Sequence, residues 1–270
     1  MKKIFLALTL FSAPMCYLGY LHQNQEKFIF EIRKLEKNHR FDFTIPFEEL
    51  TIRASDAQTL LSAVHFKPAE KSKGIVLFLH GSGTNISEIP QSLPEKILSK
   101  GYEFYTFDYR GFGKSGGKIT EKDLLEDALF VYDGLVNRYG EKNVILYGRS
   151  LGTSLATFIA SQHQPKHLLL EAPFHSMLDM ALIDQPYIPK TAIESILSFH
   201  LRSDLWMPNV KTAVTFAHGD KDEWVPLVEA NRLYEKVQSS HKNFAVFKDW
   251  GHDNFCDHPD YDLLLDQVLT

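Results

Sequence analysis

The sequence predicts an α/β fold, a mostly parallel sheet with helices on both faces. Three observations predict it. Apolar runs of strand length, such as Gly-Ile-Val-Leu-Phe-Leu-His from Gly74 to His80, are continuous rather than alternating, as strands buried on both faces require. These runs alternate with segments of helical composition along most of the chain. The chain has 270 residues, 44% of them hydrophobic and 23% charged, with no internal repeat and no long Gly/Ser/Pro linker, so one main domain with a sizeable core is the simplest organisation.

The elements follow in order. Residues 26–43 are charged and aromatic without a clean period and read as a connector packed on the domain. Phe47 to Arg53 and Thr59 to Phe66 form an antiparallel pair turned through Ala54-Ser55-Asp56-Ala57. After the strand 74–80, Ser87 to Lys100 has helical composition and Tyr102 to Asp108 is strand-like. Thr120 to Tyr139 reads as a helix, with Thr120 as N-cap and Asp123 supplying a carboxylate near its start. Lys142 to Tyr147 is a strand, Thr153 to His163 a helix, and His167 to Glu171 a strand. The stretch 173–210 breaks the rhythm with Pro186, Pro189 and Pro208, and is too long for an ordinary connection. It suits a lid above the strand ends. Thr212 to Ala217, Leu227 to Val237, Phe244 to Phe247 and Pro259 to Leu269 complete the pattern as strand, helix, strand and helix.

The N-terminus stands apart. After Met1-Lys2-Lys3 comes an uncharged stretch from Ile4 to Leu21. As a helix of about 18 residues it reaches about 27 Å, against a hydrocarbon core of roughly 30 Å. Tyr17 and Tyr20 sit where interfacial aromatics belong, and a polar run from His22 ends the segment. Residues 1–25 are therefore expected to be a membrane anchor, with 26–270 forming the main domain. Lys2 and Lys3 favour the cytoplasmic side, which puts that domain outside. A cleaved or lipidated signal segment is the competing expectation. Bulky or proline residues flank each candidate cut after Ala13 or Gly19, and Met15 before Cys16 fits a lipidation site poorly.

The formal net charge of −5 argues against broad electrostatic binding to nucleic acid, which needs clustered basic residues. The cysteines, Cys16 and Cys256, show no metal-ligand spacing, and neither do the histidines.

Chemistry concentrates in three places. Gly148-Arg149-Ser150-Leu151-Gly152 lies between a strand and a helix, and matches G-x-S-x-G, the turn that lifts a serine hydroxyl clear of a sheet. Side chains at Gly148 or Gly152 would collide with neighbouring backbone. A serine attacks only when a base takes its proton and an acid orients the base. The strand 212–217 leads into His218-Gly219-Asp220-Lys221-Asp222, and the last strand into Asp249-Trp250-Gly251-His252-Asp253. Both loops leave strands at the C-terminal edge of the sheet, in the order Ser, Asp, His.

With these residues the chain resembles the α/β-hydrolase superfamily from about Phe47 onward. It is most similar to the short-capped, often membrane-tethered alpha/beta-hydrolase domain-containing branch. The matching segments are His80-Gly81-Ser82-Gly83-Thr84-Asn85, Asp108-Tyr109-Arg110-Gly111-Phe112-Gly113-Lys114-Ser115, the serine turn, the 218–222 loop with Val225-Pro226, and Gly251-His252. The resemblance implies an α/β-hydrolase fold with a short cap at about 173–210. It implies Ser150, His252 and Asp222 as a triad, with Asp220 as the alternative acid. It assigns the oxyanion donors to the backbone N–H groups of Ser82 and Leu151. Relatives often carry Asn at the Ser82 position, a change that a backbone donor tolerates.

The implied function is a serine hydrolase that cleaves carboxylic esters or thioesters through an acyl-enzyme. Lipid or lipidated molecules are the expected substrates, and no metal or organic cofactor is expected. Two alternatives stay open, a peptidase of the same fold and a catalytically inactive scaffold used for binding.

Overall fold

A computed structural model describes the backbone over residues 2–269 and the side chains over residues 15–269. Eight strands form one sheet: β1 (Phe47–Arg53), β2 (Leu60–Phe66), β3 (Ile75–Leu79), β4 (Glu103–Phe107), β5 (Val144–Arg149), β6 (His167–Glu171), β7 (Val214–Gly219) and β8 (Lys242–Phe247). Their spatial order is β1-β2-β4-β3-β5-β6-β7-β8. β2 runs antiparallel to both β1 and β4, and every other neighbouring pair is parallel. This is the α/β-hydrolase fold.

The helices among the described residues are α1 (Lys2–Ile29), α2 (Ser92–Ser99), α3 (Glu121–Tyr139), α4 (Leu151–Ala160), α5 (Met177–Asp184), α6 (Lys190–Ile196), α7 (Ser203–Trp206), α8 (Leu227–Tyr234) and α9 (Tyr261–Val268). Alternation along β3 divides the core between two layers. Ile75, Leu77 and Leu79 meet the apolar residues of α3, α4 and α8, whereas Val76 and Phe78 meet those of α2 and α9. A strand that feeds both layers has no polar face, which is why 74–80 reads as unbroken apolar sequence. α4 is buried on nearly all sides, and its Leu-Gly-Thr-Ser-Leu-Ala-Thr composition leaves no charge to solvate.

Local chemistry sets the boundaries. Thr120 is extended and its hydroxyl accepts the Asp123 amide at 3.1 Å, so α3 starts where its cap predicts. Gly140, at φ +79°, ends it. The helix expected over 87–100 is interrupted. A 3-10 turn at Ile86–Glu88 gives way at Ile89 and Pro90 before α2 begins at Ser92. Proline supplies no amide to the helical ladder and disfavours helical backbone in the residue before it. β5 extends two residues beyond the expected strand, so Gly148 and Arg149 still pair with β6.

Between β6 and β7 the chain forms the three short helices α5, α6 and α7. α1 touches this insertion: Gln25 Nε2 donates to Ile196 O at 3.1 Å, and its Oε1 accepts the Ser198 amide at 2.7 Å. Most of the apolar segment read as an anchor or signal, residues 4–14, lies outside the described side chains. Among the described residues no helix is long and apolar enough to cross a membrane.

Candidate active site

Ser150 stands between β5 and α4 at φ +49° and ψ −117°, a conformation that side-chain-bearing residues seldom adopt. The surrounding backbone enforces it. Its amide donates to Glu171 O at 2.8 Å, and its carbonyl accepts the Thr153 amide at 2.9 Å. A Cβ on Gly152 would drive into the Leu79 carbonyl, and one on Gly148 would come within 2.7 Å of Thr153 Cα. Both glycines are needed because β3, β5 and α4 converge at this turn.

The same crossing delivers the β3–α2 loop to the serine. A Cβ on Gly81 would lie 3.5 Å from Ser150 Cβ, so Ser82 follows directly beside the nucleophile turn. Neither the Ser82 nor the Leu151 amide donates to a protein acceptor among the described residues. Two unspent N–H groups flanking a serine are what a developing oxyanion requires.

Asp222 and His252 meet at the ends of β7 and β8. His252 Nδ1 lies 2.7 Å from Asp222 Oδ2. The other oxygen, Oδ1, accepts the Trp224 and Val225 amides at 2.9 and 2.8 Å, which fixes the carboxylate plane. Burial alone would raise this carboxyl. The His252 hydrogen bond and charge, the Val225 amide and nearby His218 outweigh burial and hold it below the usual carboxylate range. Gly219 makes the approach possible: a Cβ there would overlap the Trp250 and Gly251 carbonyls. Because Nδ1–H donates to the carboxylate, Nε2 is left as the acceptor of the ring. Ser150 Oγ makes no hydrogen bond among the described residues. Such bonds commonly tighten only when substrate arrives.

Asp220, the alternative acid, has no hydrogen bond to His252, and its Oδ1 is buried without a partner. The turn motifs resolve into supports. Burial pushes His80 down to about 4; its Nδ1–H donates to Gly81 O at 2.8 Å and its ring stacks on Tyr109. Buried His218 donates from Nε2 to Val225 O at 2.8 Å. Arg110 holds Asp127 through two bonds of 2.6 and 3.0 Å, tying the corner to α3.

Other residues at this edge are Arg149 and Glu171, which the motifs pass over. They are register partners on β5 and β6, 3.2 Å apart between Nε and Oε1, and Arg149 also reaches the carbonyl of His252. No local signal in the sequence marks them, because only the β5–β6 register brings the two together. Among the described residues, His175, Asp179 and Glu229 form a group of metal-ligating type, but a cation already serves it. Arg232 donates to Asp179 Oδ1 at 3.0 Å and to Glu229 Oε1 at 2.8 Å.

Known proteins resemble this chain in sequence and in fold. Residues 70–204 match the family described as serine aminopeptidase, S33. A lysophosphatidylserine lipase, ABHD12 of Danio rerio, is 30% identical over 201 residues, covering 68% of this chain and 53% of that protein. Human protein ABHD12B is 32% identical over 186 residues, covering 63% of this chain and 51% of its own length. The chain thus spans about half the length of the curated relatives it matches. Among solved structures, the Pyrococcus furiosus esterase Pf2001 superposes with a TM-score of 0.70 at 19% identity, covering 90% of this chain and 98% of the esterase. A monoacylglycerol lipase of Paleococcus ferrophilus shares the fold with a TM-score of 0.57 at 19% identity, covering 77% of this chain and 98% of the lipase.

Proposed function

We propose, from the premise that the chain belongs to the α/β-hydrolase superfamily and its serine aminopeptidase S33 family, that it hydrolyses carboxylic esters of lipids through Ser150, His252 and Asp222. Ser150 Oγ attacks the acyl carbon while its proton passes to His252 Nε2. Asp222 holds the ring in the required tautomer and stabilises the imidazolium. The Ser82 and Leu151 amides receive the oxyanion, and the protonated Nε2 then donates to the leaving alcohol. Water, activated by the same nitrogen, releases the acyl group and restores Ser150. The observation that carries this reading is the 2.7 Å contact between His252 and Asp222 at the sheet edge where Ser150 occupies a positive-φ turn.

A lipid substrate is supported by the matched lysophosphatidylserine lipase and by the N-terminal apolar run, which we take as a membrane tether with the catalytic domain outside. α1 bears on the insertion at 173–210, so a bilayer-held α1 would set that insertion, acting as a cap, beside the lipid surface. Thioesters suit the same chemistry. A second reading, peptide-bond hydrolysis, is favoured by the matched family's description.

The test is a substrate panel on purified protein: p-nitrophenyl esters of graded chain length, a lysophospholipid, an acyl-thioester and aminoacyl p-nitroanilides, each with Ser150→Ala as control. Ser150-dependent turnover of the long-chain ester and lysophospholipid is expected. Turnover of the anilides alone would replace this reading with the peptidase one.

A further inference from the structure

Arg149 is the last residue of β5, directly before Ser150, yet its side chain is only 12% exposed. It reaches sideways along the sheet edge. Nε lies 3.2 Å from Glu171 Oε1, while Nη2 donates to the His252 carbonyl at 3.4 Å and to Asp253 Oδ1. Among the described residues, these Nη2 bonds are the hydrogen bonds that join the serine strand to the loop carrying His252.

Within that loop Trp250 Nε1 donates to Asp253 O at 3.0 Å and the Trp250 ring packs edge-on against His258, contacts that do not reach β5. Positive-φ residues Asp249 and Asn254 bracket the loop. One backbone bond, from the Lys221 amide to Trp250 O at 2.8 Å, ties it to the Asp222 side. The anchor under Arg149 is firm by contrast. Glu171 is buried at the end of β6, and Tyr147 Oη donates to its Oε2 while lying 2.6 Å from Tyr261 Oη. A guanidinium can engage carboxylate and carbonyl acceptors together because its donors are splayed in one plane, whereas an ammonium cannot reproduce that span.

We infer that Arg149, seated on Glu171, is a positioning residue that clamps the His252 loop to the Ser150 strand and so holds base and nucleophile in register. The inference rests on the triad reading above. It adds that the residue preceding the nucleophile acts on the base, through the backbone, without touching substrate.

The test compares Arg149→Met, Arg149→Lys and Asp253→Ala with wild type in p-nitrophenyl butyrate hydrolysis, fluorophosphonate labelling rate and thermal unfolding. A loosened clamp displaces the ring by a fraction of its working distance, so kcat of Arg149→Met should fall about 100-fold, with KM within about threefold. Arg149→Lys should fall about tenfold, and Asp253→Ala, altered at an exposed side chain, about threefold without a change in Tm. Labelling of Ser150 should slow in the same order. Values of kcat for Arg149→Met or Arg149→Lys within twofold of wild type would overturn the clamp. So would losses that follow the drop in Tm while Asp253→Ala stays fully active. If Arg149→Met does not fold, the other two variants decide. Equal labelling of wild type and Ser150→Ala would instead overturn the triad reading beneath it.

Discussion

His252 Nδ1 sits 2.7 Å from Asp222 Oδ2, although thirty residues and all of α8 and β8 separate the two in sequence. Gly219 brings them together, because only a residue without a side chain lets the Trp250 and Gly251 carbonyls close over the end of β7. The carboxylate is fixed from the other side by the Trp224 and Val225 amides. The pair is therefore oriented before any substrate arrives.

Replacing the Asp222 carboxylate tests that orientation. Asp222→Asn should lower kcat by about 10³- to 10⁴-fold with little change in fold, since the amide favours the wrong imidazole tautomer. Asp220→Asn should lie within about fivefold of wild type, because Asp220 does not bond His252. Steady-state ester hydrolysis by both variants checks this, and a larger loss from Asp220→Asn would reverse the assignment of the acid.

The close approaches at the two glycines carry a cost that can be measured. Gly152→Ala and Gly219→Ala each place a methyl group against backbone carbonyls, which cannot move aside as a flexible side chain can. Overpacking of this kind costs about 1–3 kcal/mol, and a chain of this size loses about 2–4 °C in Tm per kcal/mol. Both variants should also lose activity, because the shifts fall on the serine turn and the base loop. Gly134→Ala, where open space surrounds the added methyl, is the control and should unfold at or slightly above the wild-type temperature.

Stability should be acid-sensitive in a defined window. Burial holds His80 and His167 neutral down to about 4, and burial also lowers His65 and His218. In the unfolded chain such rings protonate near 6.5. Between those values the unfolded chain binds more protons, so stability falls as pH drops. Asp108, pushed up to about 7 by burial, acts in the opposite sense: its contribution is full below its ordinary 3.8 and is lost as pH rises through 7. Glu171, raised by its own burial, acts with Asp108, and four rings against these two carboxyls leave the rings in control. Each net proton contributes about 1.4 kcal/mol per pH unit. Tm should fall from pH 6.5 to 4.5, and His167→Gln should reduce the slope. A Tm that holds steady or rises on acidification would contradict this.

The parallel strands were legible in sequence because burial on both faces leaves unbroken apolar runs, as at Ile75–Leu79. The N-cap of α3 was legible because Thr120 satisfies an amide three residues on, a strictly local event. The triad loops were legible because a parallel sheet puts every strand's C-terminus on one edge. Interactions across strands left no such trace. Arg149 and Glu171 are neighbours only through the β5–β6 register, and Gly219 matters only for a loop that arrives after α8 and β8. The insertion was legible as irregular, but its short helices, such as α6 and α7, depend on tertiary contacts rather than on a periodic pattern of their own.

Catalysis through Ser150 requires one hydroxyl activated above all others in the chain, and covalent labelling measures that directly. A fluorophosphonate probe applied to purified wild type should modify a single site, identified by peptide mass as Ser150, and should leave Ser150→Ala unlabelled. Equal labelling of the two proteins, or modification at a different serine, would contradict it.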